Sequence, residues 1–285
     1  MDDCLHTAWS EEIQGVLTLY LSRRLRFDDC FSAQYTKLFA LDRGRALKIL
    51  EIGCGPGALA GALRRWYPCA ELCAVDRDSN FIRFARQHEP DIRFLEADAT
   101  RLPFPDESFD ATISYTVSEH IEPSAFFGEQ RRVLRPGGVC LCLAARRGVQ
   151  IVAPCLRETE AERAFWETVR DDAFERLGVG KYRMTEAELP AAMERYGFQE
   201  LTTGYAVADL TPDDPKYSAK QAEAMIEAAR QSALEAIASA HSDRAGPAIA
   251  AVNAKYDERL RFLRRGIKQW DTETSVTQIV RGVRA

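Results

Sequence analysis

The sequence predicts an α/β fold: a mostly parallel sheet of seven strands, with helices on both faces and an antiparallel last strand. The run Lys48–Ile52 is apolar and leads directly into a turn with three alternate glycines. Short strand patterns then alternate with helix patterns up to residue 146, which is typical of parallel βαβ units. A long helical pattern over 216–270 separates these units from the last strand pattern, at 275–283.

Composition narrows the functional classes. The chain has 285 residues, 46% of them hydrophobic, and a net charge of −5, so no basic field favours nucleic acid or an anionic membrane. No apolar run is long enough to span a bilayer, and the first residues lack a signal-peptide pattern. The eight cysteines form no C-x-x-C pair and lie mostly in apolar runs, which favours buried, reduced thiols. We therefore expect a cytoplasmic monomer or homodimer with no metal site and no nucleic-acid or membrane partner.

Residues 1–45 are predicted to form a helical layer. Apolar side chains recur there at helical spacing, at Ile13, Leu17, Tyr20 and Leu21 and again at Phe31, Tyr35, Leu38 and Phe39. These side chains would pack on the sheet. Alternatively, Phe31 or Tyr35 would border a ligand site.

The glycine turn comprises Gly53, Gly55 and Gly57, and a helix pattern that Pro68 ends follows it. Such a unit brings backbone close to a ligand at a helix N-terminus, because glycine has no Cβ. By itself the turn also fits a dinucleotide fingerprint or a tight turn without any ligand.

The second strand pattern ends at Asp76. An acidic residue at this position can accept hydrogen bonds from both hydroxyls of a ribose. Its alternative role is to cap the next helix, for which Asp78 or Ser79 is equally suited.

Three sequence blocks carry a family resemblance. They are E-I-G-C-G-P-G at 51–57, E-A-D-A-T-R-L-P-F-P-D-E-S-F-D-A-T-I at 96–113 and R-R-V-L-R-P-G-G-V-C-L-C-L at 131–143. In this order and spacing they resemble the class I S-adenosylmethionine-dependent methyltransferases. Within that class they look closest to the small-molecule group that includes the quinone-biosynthesis C-methyltransferases.

The resemblance implies a Rossmann-like fold, S-adenosylmethionine as cofactor, S-adenosylhomocysteine as product and a small-molecule acceptor. It implies that the Asp98 carboxylate and the Ala99 N–H contact adenine. The methionyl amino group would meet the carbonyl of Gly53 or of a residue near Ser114, and Glu51 would organise the glycine turn. The cofactor site so assigned contains Tyr35, Glu51, Gly53, Gly55, Gly57, Asp76, Arg77, Asp98, Ala99 and Ser114.

His120 follows the fourth strand pattern, at the sheet edge where the transferred methyl group and the acceptor should meet. It is the candidate general base, with loop hydrogen bonding or packing as alternatives. Glu119 is a weaker candidate. No Asn/Asp-Pro-Pro-Tyr sequence follows this strand, which disfavours adenine and glutamine amides as acceptors.

Beyond residue 146 the resemblance ends. A helix over 158–177 would place Phe165, Trp166 and Phe174 either in the core or in a lid.

Residues 212–270 are predicted to form a helical hairpin, broken at Gly246-Pro247, that inserts between strands six and seven. The domains are thus 1–45, then 46–211 with 271–285, and the insertion 212–270. The insertion also contains a basic cluster, which predicts either a solvated helix face or an anion-binding site. Its members are Arg259, Arg261, Arg264, Arg265 and Lys268.

The predicted function is methyl transfer from S-adenosylmethionine to a small molecule. A nicotinamide-dependent oxidoreductase fits the glycine turn but does not account for Asp98-Ala99. A non-catalytic S-adenosylmethionine-binding protein that acts through its helical insertion is the second alternative. Methylation of RNA or protein is the third, and the acidic composition argues against RNA.

Overall fold

The computed structural model describes residues 9–169, 178–240 and 245–285 and divides them into two compact units. Of the described residues, the first unit holds 9–146, 178–207 and 276–285. The second unit holds 147–169, 208–240 and 245–275.

The eight strands are β1 (Lys48–Ile52), β2 (Glu71–Asp76), β3 (Arg93–Glu96), β4 (Phe109–Tyr115), β5 (Leu134–Arg146), β6 (Gln150–Ile151), β7 (Phe198–Leu210) and β8 (Thr272–Arg284). In the first unit the order is β3-β2-β1-β4-β5-β8, and β7 also pairs with β8. Strands β1 to β5 are parallel and β8 is antiparallel to β5. The predicted fold class is confirmed. Ile52 lies opposite Val75 and Ser114, so the carboxyl ends of three neighbouring strands meet at one edge.

One short strand was not predicted. Within the second unit β6 pairs antiparallel with Thr272 and Glu273 of β8. The two chain segments approach closely beside it, since a Cβ on Gly148 would lie 1.7 Å from the Thr274 carbonyl oxygen. The Thr274 N–H donates to the Val149 carbonyl at 2.8 Å, which extends the pairing by one hydrogen bond.

The helices are α1 (Val16–Arg26), α2 (Ser32–Phe39), α3 (Ala58–Trp66), α4 (Ser79–His88), α5 (Pro123–Val133), α6 (Glu160–Trp166), α7 (Glu188–Arg195), α8 (Ala219–Ser239) and α9 (Ala245–Arg264). Asp78 caps α4, because its Oδ1 accepts the Asn80 N–H at 2.9 Å. Thr185 and Glu188 exchange side-chain and backbone hydrogen bonds at the start of α7. Of the two caps predicted for the helix after Asp76, the structure selects Asp78 over Ser79.

The N-terminal layer differs from the predicted pattern. Residues Trp9–Ile13 form a separate π-helical turn, and α1 begins only at Val16. This break changes the helical phase, so Leu17 is 47% exposed while Leu19 and Arg23 are buried. The predicted stripe through Leu17 is therefore wrong, and the buried face of α1 carries a cationic side chain.

Apolar side chains cover both faces of the first unit's sheet. One cluster includes Leu50, Phe126 and Phe198, and the other includes Ala74 and Phe94. Cys140 and Cys142 are fully buried on β5, as their spacing predicts, and burial raises the pKa of both thiols. The cysteines in the described part of the chain are all free thiols.

Helices α8 and α9 of the second unit form an antiparallel pair. Ile237 near the end of α8 clusters with Ala248 near the start of α9, whereas Glu223 near the start of α8 pairs with Arg264 at the end of α9. Helix α9 begins at Ala245, so Gly246-Pro247 lies in its first turn instead of between the helices. None of the helices within the described ranges combines the length and apolar character needed to cross a membrane.

Phe165 belongs to the same apolar cluster as α8 and α9 and is 2% exposed, so its role there is core packing. Its neighbour Trp166 is 40% exposed. The predicted helix over 158–177 is described only in part, and Phe174 lies outside the described residues.

Arg259 is also buried, which contradicts the solvated-face interpretation for this member of the basic cluster. Its guanidinium contacts Asp213 at 2.9 Å and Asp271 at 2.6 Å. The N–H groups of Gln269 and Trp270 donate to the same Asp213 carboxylate, at 2.6 and 2.8 Å. Arg259 thus fastens the loop before β8 to the turn after β7.

Candidate functional site

A cavity of about 360 Å³ lies in the first unit, at the carboxyl ends of the parallel strands. In an open parallel sheet this edge is where ligands bind. Of the residues predicted for the site, seven line the cavity: Gly53, Gly55, Asp76, Arg77, Asp98, Ala99 and His120.

The glycine turn is held by backbone hydrogen bonds from β2. The N–H groups of Gly53 and Cys54 both donate to the Val75 carbonyl, at 2.8 and 2.9 Å. Gly53 has φ +69°, and a Cβ there would lie 2.3 Å from a methyl carbon of Val117. Any other residue would be strained in backbone and side chain at this position.

Gly57 does not line the cavity. It is the N-cap residue of α3, and a Cβ there would lie 3.0 Å from the Ala85 Cβ and 3.2 Å from the Phe94 ring. The absence of a side chain allows α4 and β3 to pack against the start of α3. The structure therefore gives Gly57 a packing role within the turn.

Asp76 organises the turn and also faces the cavity. Its Oδ2 accepts the Gly55 N–H at 2.7 Å, and its Oδ1 accepts the Asp78 N–H at 2.9 Å. Burial raises its pKa, while these two hydrogen bonds act in the opposite direction. Each carboxylate oxygen can accept a further hydrogen bond, so Asp76 can serve the loop and a ligand together.

Asp98 and Ala99 lie side by side after β3. One carboxylate oxygen of Asp98 accepts the Thr100 N–H at 2.7 Å and its hydroxyl at 2.8 Å. These bonds fix the side chain at the cavity wall. The second carboxylate oxygen makes no hydrogen bond within the described part of the chain, which leaves an acceptor beside the Ala99 N–H.

Glu51 lies in β1 and is 2% exposed, outside the cavity lining. Neither of its carboxylate oxygens has a hydrogen-bond partner among the described residues. Burial raises the pKa of Glu51 to about 8, although the positive charge of Arg23 acts against this. A buried carboxyl without a partner beside a ligand cavity is a candidate site for a cationic group.

Two other predicted residues lie away from the cavity. Ser114 is buried within β4. Tyr35 is fully buried, with its ring stacked on Trp66 at 5.4 Å between centroids and close to Phe27 and Phe39. Of the two interpretations left open for Tyr35, its surroundings match packing of the helical layer.

Twelve lining residues were missed by the sequence analysis: Trp9, Leu19, Arg23, Val75, Phe81, Ala97, Thr100, Thr116, Val117, Ile121, Glu122 and Tyr182. Arg23 donates from Nη2 to the Thr116 hydroxyl at 2.8 Å, and its guanidinium carbon lies 5.1 Å from the Tyr115 ring centroid. Burial lowers its pKa, and its Nε has no partner among the described residues. Leu19 and Arg23 lie one helical turn apart on α1. A cation in helical register with apolar residues is the sequence signal that could have identified Arg23 as a site residue.

The turn that carries Trp9 is fixed to the start of α4. The Ser10 N–H donates to one carboxylate oxygen of Asp78 at 2.9 Å, and the Ser10 hydroxyl donates to the other at 3.0 Å. The Trp9 ring then meets the His120 ring edge-on, with 4.6 Å between centroids.

His120 lines the cavity as predicted, and backbone groups surround its ring. Its Nδ1 accepts the Gly180 N–H at 3.0 Å, and its Nε2 lies 3.8 Å from a carboxylate oxygen of Glu119. Burial lowers the pKa of His120 to about 4, with help from the charges of Arg77 and two further arginines, against a hydrogen bond to the Thr116 backbone. The ring is therefore neutral near pH 7.

Comparison with known proteins agrees with this geometry. Residues 50–142 match the family model described as a methyltransferase domain. The chain is 40% identical over 103 residues to the fatty-acid O-methyltransferase of Mycolicibacterium smegmatis, which covers 35% of this chain and 37% of that protein. It is 40% identical over 96 residues to the demethylmenaquinone methyltransferase of Thermus thermophilus, an alignment that covers 32% of this chain and 44% of that protein. The chain thus spans well under half the length of these two relatives.

A solved structure resembles nearly the whole chain. The phosphoethanolamine N-methyltransferase 2 of Haemonchus contortus, in complex with S-adenosyl-L-methionine, aligns with a TM-score of 0.54. The alignment covers 97% of this chain and 59% of that protein, at 15% identity. At this sequence identity the structural similarity is evidence for a shared fold alone.

Proposed function

We propose that this protein transfers a methyl group from S-adenosylmethionine to a small-molecule acceptor, as the match of residues 50–142 to the methyltransferase domain supports. One observation carries the proposal. The glycine turn, the Asp76 carboxylate and the Asp98-Ala99 pair, which come from three different strand ends, line one cavity.

The residues fit the cofactor on structural grounds. Asp98 offers a free carboxylate oxygen and Ala99 an N–H, which match the amino group and a ring nitrogen of adenine. Asp76 offers acceptor positions for the ribose hydroxyls. Gly53 leaves room for close approach, since a Cβ there would fill the space beside Val117.

Two buried titratable groups suit the methionyl end. Arg23 lines the cavity and has an unused Nε, which suits the carboxylate of the amino acid. Glu51 lies outside the lining, with both carboxyl oxygens unused and a pKa that burial raises to about 8. A methionyl ammonium group near Glu51 would favour the ionised form of this carboxyl.

When bound, S-adenosylmethionine supplies an electrophilic methyl group on a sulfonium. The chain has to orient this group and exclude water, so proximity and alignment provide much of the rate. Leu19, Val117 and Ile121 give the cavity apolar walls for this purpose.

The acceptors named for the relatives, a fatty acid and a demethylmenaquinone, support a small organic acceptor here. We infer a cytoplasmic enzyme that acts without nucleic acid, as monomer or homodimer. That residues 212–270 form a separate insertion that helps to enclose the acceptor remains a prediction.

Binding of S-adenosylhomocysteine tests the proposal. At a hundred times its dissociation constant it should raise the free energy of unfolding by about 2.7 kcal/mol. Titration calorimetry measures the dissociation constant, with NAD as the parallel ligand for the oxidoreductase alternative. Absence of binding at millimolar S-adenosylhomocysteine contradicts the proposal. Binding without methyl transfer to any metabolite in a broad panel would favour the non-catalytic alternative.

Asp76→Asn should weaken the binding of S-adenosylhomocysteine at least about tenfold, since a hydrogen bond to a charged group contributes roughly 1.5–3 kcal/mol. The asparagine amide offers one acceptor oxygen, which the turn already uses. Calorimetry on both proteins measures the change.

The matched control for this substitution is Asp42→Asn. Asp42 also accepts a backbone N–H two residues on, from Gly44 at 2.9 Å, and it does not line the cavity. If the Asp76 and Asp42 variants bind S-adenosylhomocysteine equally well, Asp76 serves only the turn.

A further inference from the structure

The surroundings of His120 bear on the chemistry of the acceptor. Because the Gly180 N–H donates to Nδ1, that nitrogen uses its lone pair and carries no proton. In the neutral ring the proton must then be on Nε2, which lies 3.8 Å from a carboxylate oxygen of Glu119. Neither nitrogen presents a free lone pair, so the ring is not arranged to accept a proton from an acceptor.

The carboxylates that line the cavity are also engaged. Asp76 holds two backbone N–H groups. Asp98 holds the Thr100 N–H and hydroxyl with one oxygen, and its other oxygen is the acceptor proposed above for adenine. Glu122 accepts the Ala125 N–H at the start of α5, and its pKa is lowered by the Ser124 hydroxyl and these helix amides. Glu51, whose pKa is raised, does not reach the cavity wall. The described lining therefore contains no group set up as a general base.

Arg77 is an unused cation in the cavity lining. The resemblance assigned it to the cofactor site, but the cofactor contacts proposed above use other residues. Arg77 makes no hydrogen bond or ion pair within the described ranges, so its guanidinium is available. Its charge also lowers the pKa of the neighbouring His120. An unpaired guanidinium in the lining favours an anionic acceptor.

From these three observations we propose that the acceptor is a carboxylic acid, methylated on a carboxylate oxygen that Arg77 holds, while His120 positions the loop and takes no proton. The proposal rests on the methyl-transfer function above. A guanidinium binds a carboxylate through two parallel hydrogen bonds, which also fixes the plane of the attacking oxygen. The apolar and aromatic walls, which include Trp9 and Ile121, suit an acid with an apolar body.

The step balances without a base. A lone pair of the carboxylate oxygen forms the O–CH₃ bond as the CH₃–S bond breaks, and the electrons of that bond remain on sulfur. The products are a neutral methyl ester and S-adenosylhomocysteine. No proton moves, because a carboxyl group with an ordinary pKa is already ionised at neutral pH.

Binding to the S-adenosylhomocysteine complex tests the acceptor class apart from turnover. Octanoate, decanoate and cinnamate should each bind at least about tenfold more tightly than their primary amides, as expected for a charge-assisted pair. Arg77→Gln should abolish this preference and Arg77→Lys should restore part of it. Arg83→Gln, on the exposed surface of α4 and outside the cavity lining, is the matched control and should keep the preference.

Turnover with S-adenosylmethionine tests the role of His120. An alkali-labile methyl ester should form, with a kcat that does not change between pH 6 and 9. His120→Gln should keep kcat within about fivefold, because the amide oxygen can also accept the Gly180 N–H and no proton transfer is lost. Arg77→Gln should raise the KM of the acid at least about tenfold with kcat retained.

The outcomes separate the two proposals. No binding of S-adenosylhomocysteine contradicts the methyl-transfer function itself. Retained binding of S-adenosylhomocysteine, with no carboxylate bound or with amides bound equally well, overturns only the carboxylate proposal. The carboxylate proposal is also overturned if phenols or amines alone are methylated, with a kcat that rises with pH and falls more than a hundredfold in His120→Gln.

Discussion

Replacement of Glu51 by Gln should make the first unit more stable at pH 9, by about 3 to 5 kcal/mol, and should leave its stability at pH 4 nearly unchanged. The cause is the carboxyl pKa of about 8, which burial raises from 4.5. One pKa unit corresponds to about 1.4 kcal/mol between the two protonation states.

The sign follows from proton binding. Between pH 4.5 and about 8 the folded protein keeps a proton on Glu51 that the unfolded chain has lost. The contribution of Glu51 to the free energy of unfolding therefore decreases as pH rises through this window and does not change above it. Glutamine does not ionise, so the free energy of unfolding of the variant lacks this decrease.

Hydrogen exchange of the β1 amides at several pH values measures the effect locally. Glu71→Gln is the control, since Glu71 begins β2 with a side chain that is 72% exposed. Equal pH dependence in wild type and Glu51→Gln would mean that Glu51 is ionised in the folded protein. If Glu51 also meets the methionyl ammonium, Glu51→Gln should weaken S-adenosylhomocysteine binding.

Replacement of Asp213 by Ala should destabilise the second unit by about 3 to 5 kcal/mol, because a buried guanidinium and two backbone N–H groups lose their shared acceptor. The Arg259 guanidinium would keep Asp271 but lose its 2.9 Å contact with Asp213. The N–H groups of Gln269 and Trp270 would lose their shared acceptor as well.

The matched control is Asp214→Ala in the same turn. Asp214 pairs with Lys216 and is more exposed, so its loss should cost no more than about 1 kcal/mol. Hydrogen exchange of the α9 amides, measured for the full chain, reports the difference. Equal protection in the two variants would show that the Arg259 network adds no net stability.

The local features of the sequence determined the sheet, its helices and the cofactor edge of the site. Gly53, Asp76 and Asp98 each lie within two residues of the end of a strand, and parallel strands bring their carboxyl ends together whatever the remaining packing. Helix starts such as Asp78 were equally accessible, since a cap acts on amides two or three residues away.

Only the tertiary structure decided which side chains complete the site. Trp9, Arg23 and Tyr182 reach the cavity from segments distant in sequence, and the phase of α1 depends on where the preceding turn ends. Tyr35 shares the periodicity of its layer, yet stacking on Trp66 places it in the core. In the sequence, Arg259 is indistinguishable from the other basic residues of its helix. In the structure it is buried, because the carboxylates of Asp213 and Asp271 lie against its guanidinium. Periodicity specifies the face of a helix, but the partner of that face is set by contacts between segments far apart in the chain.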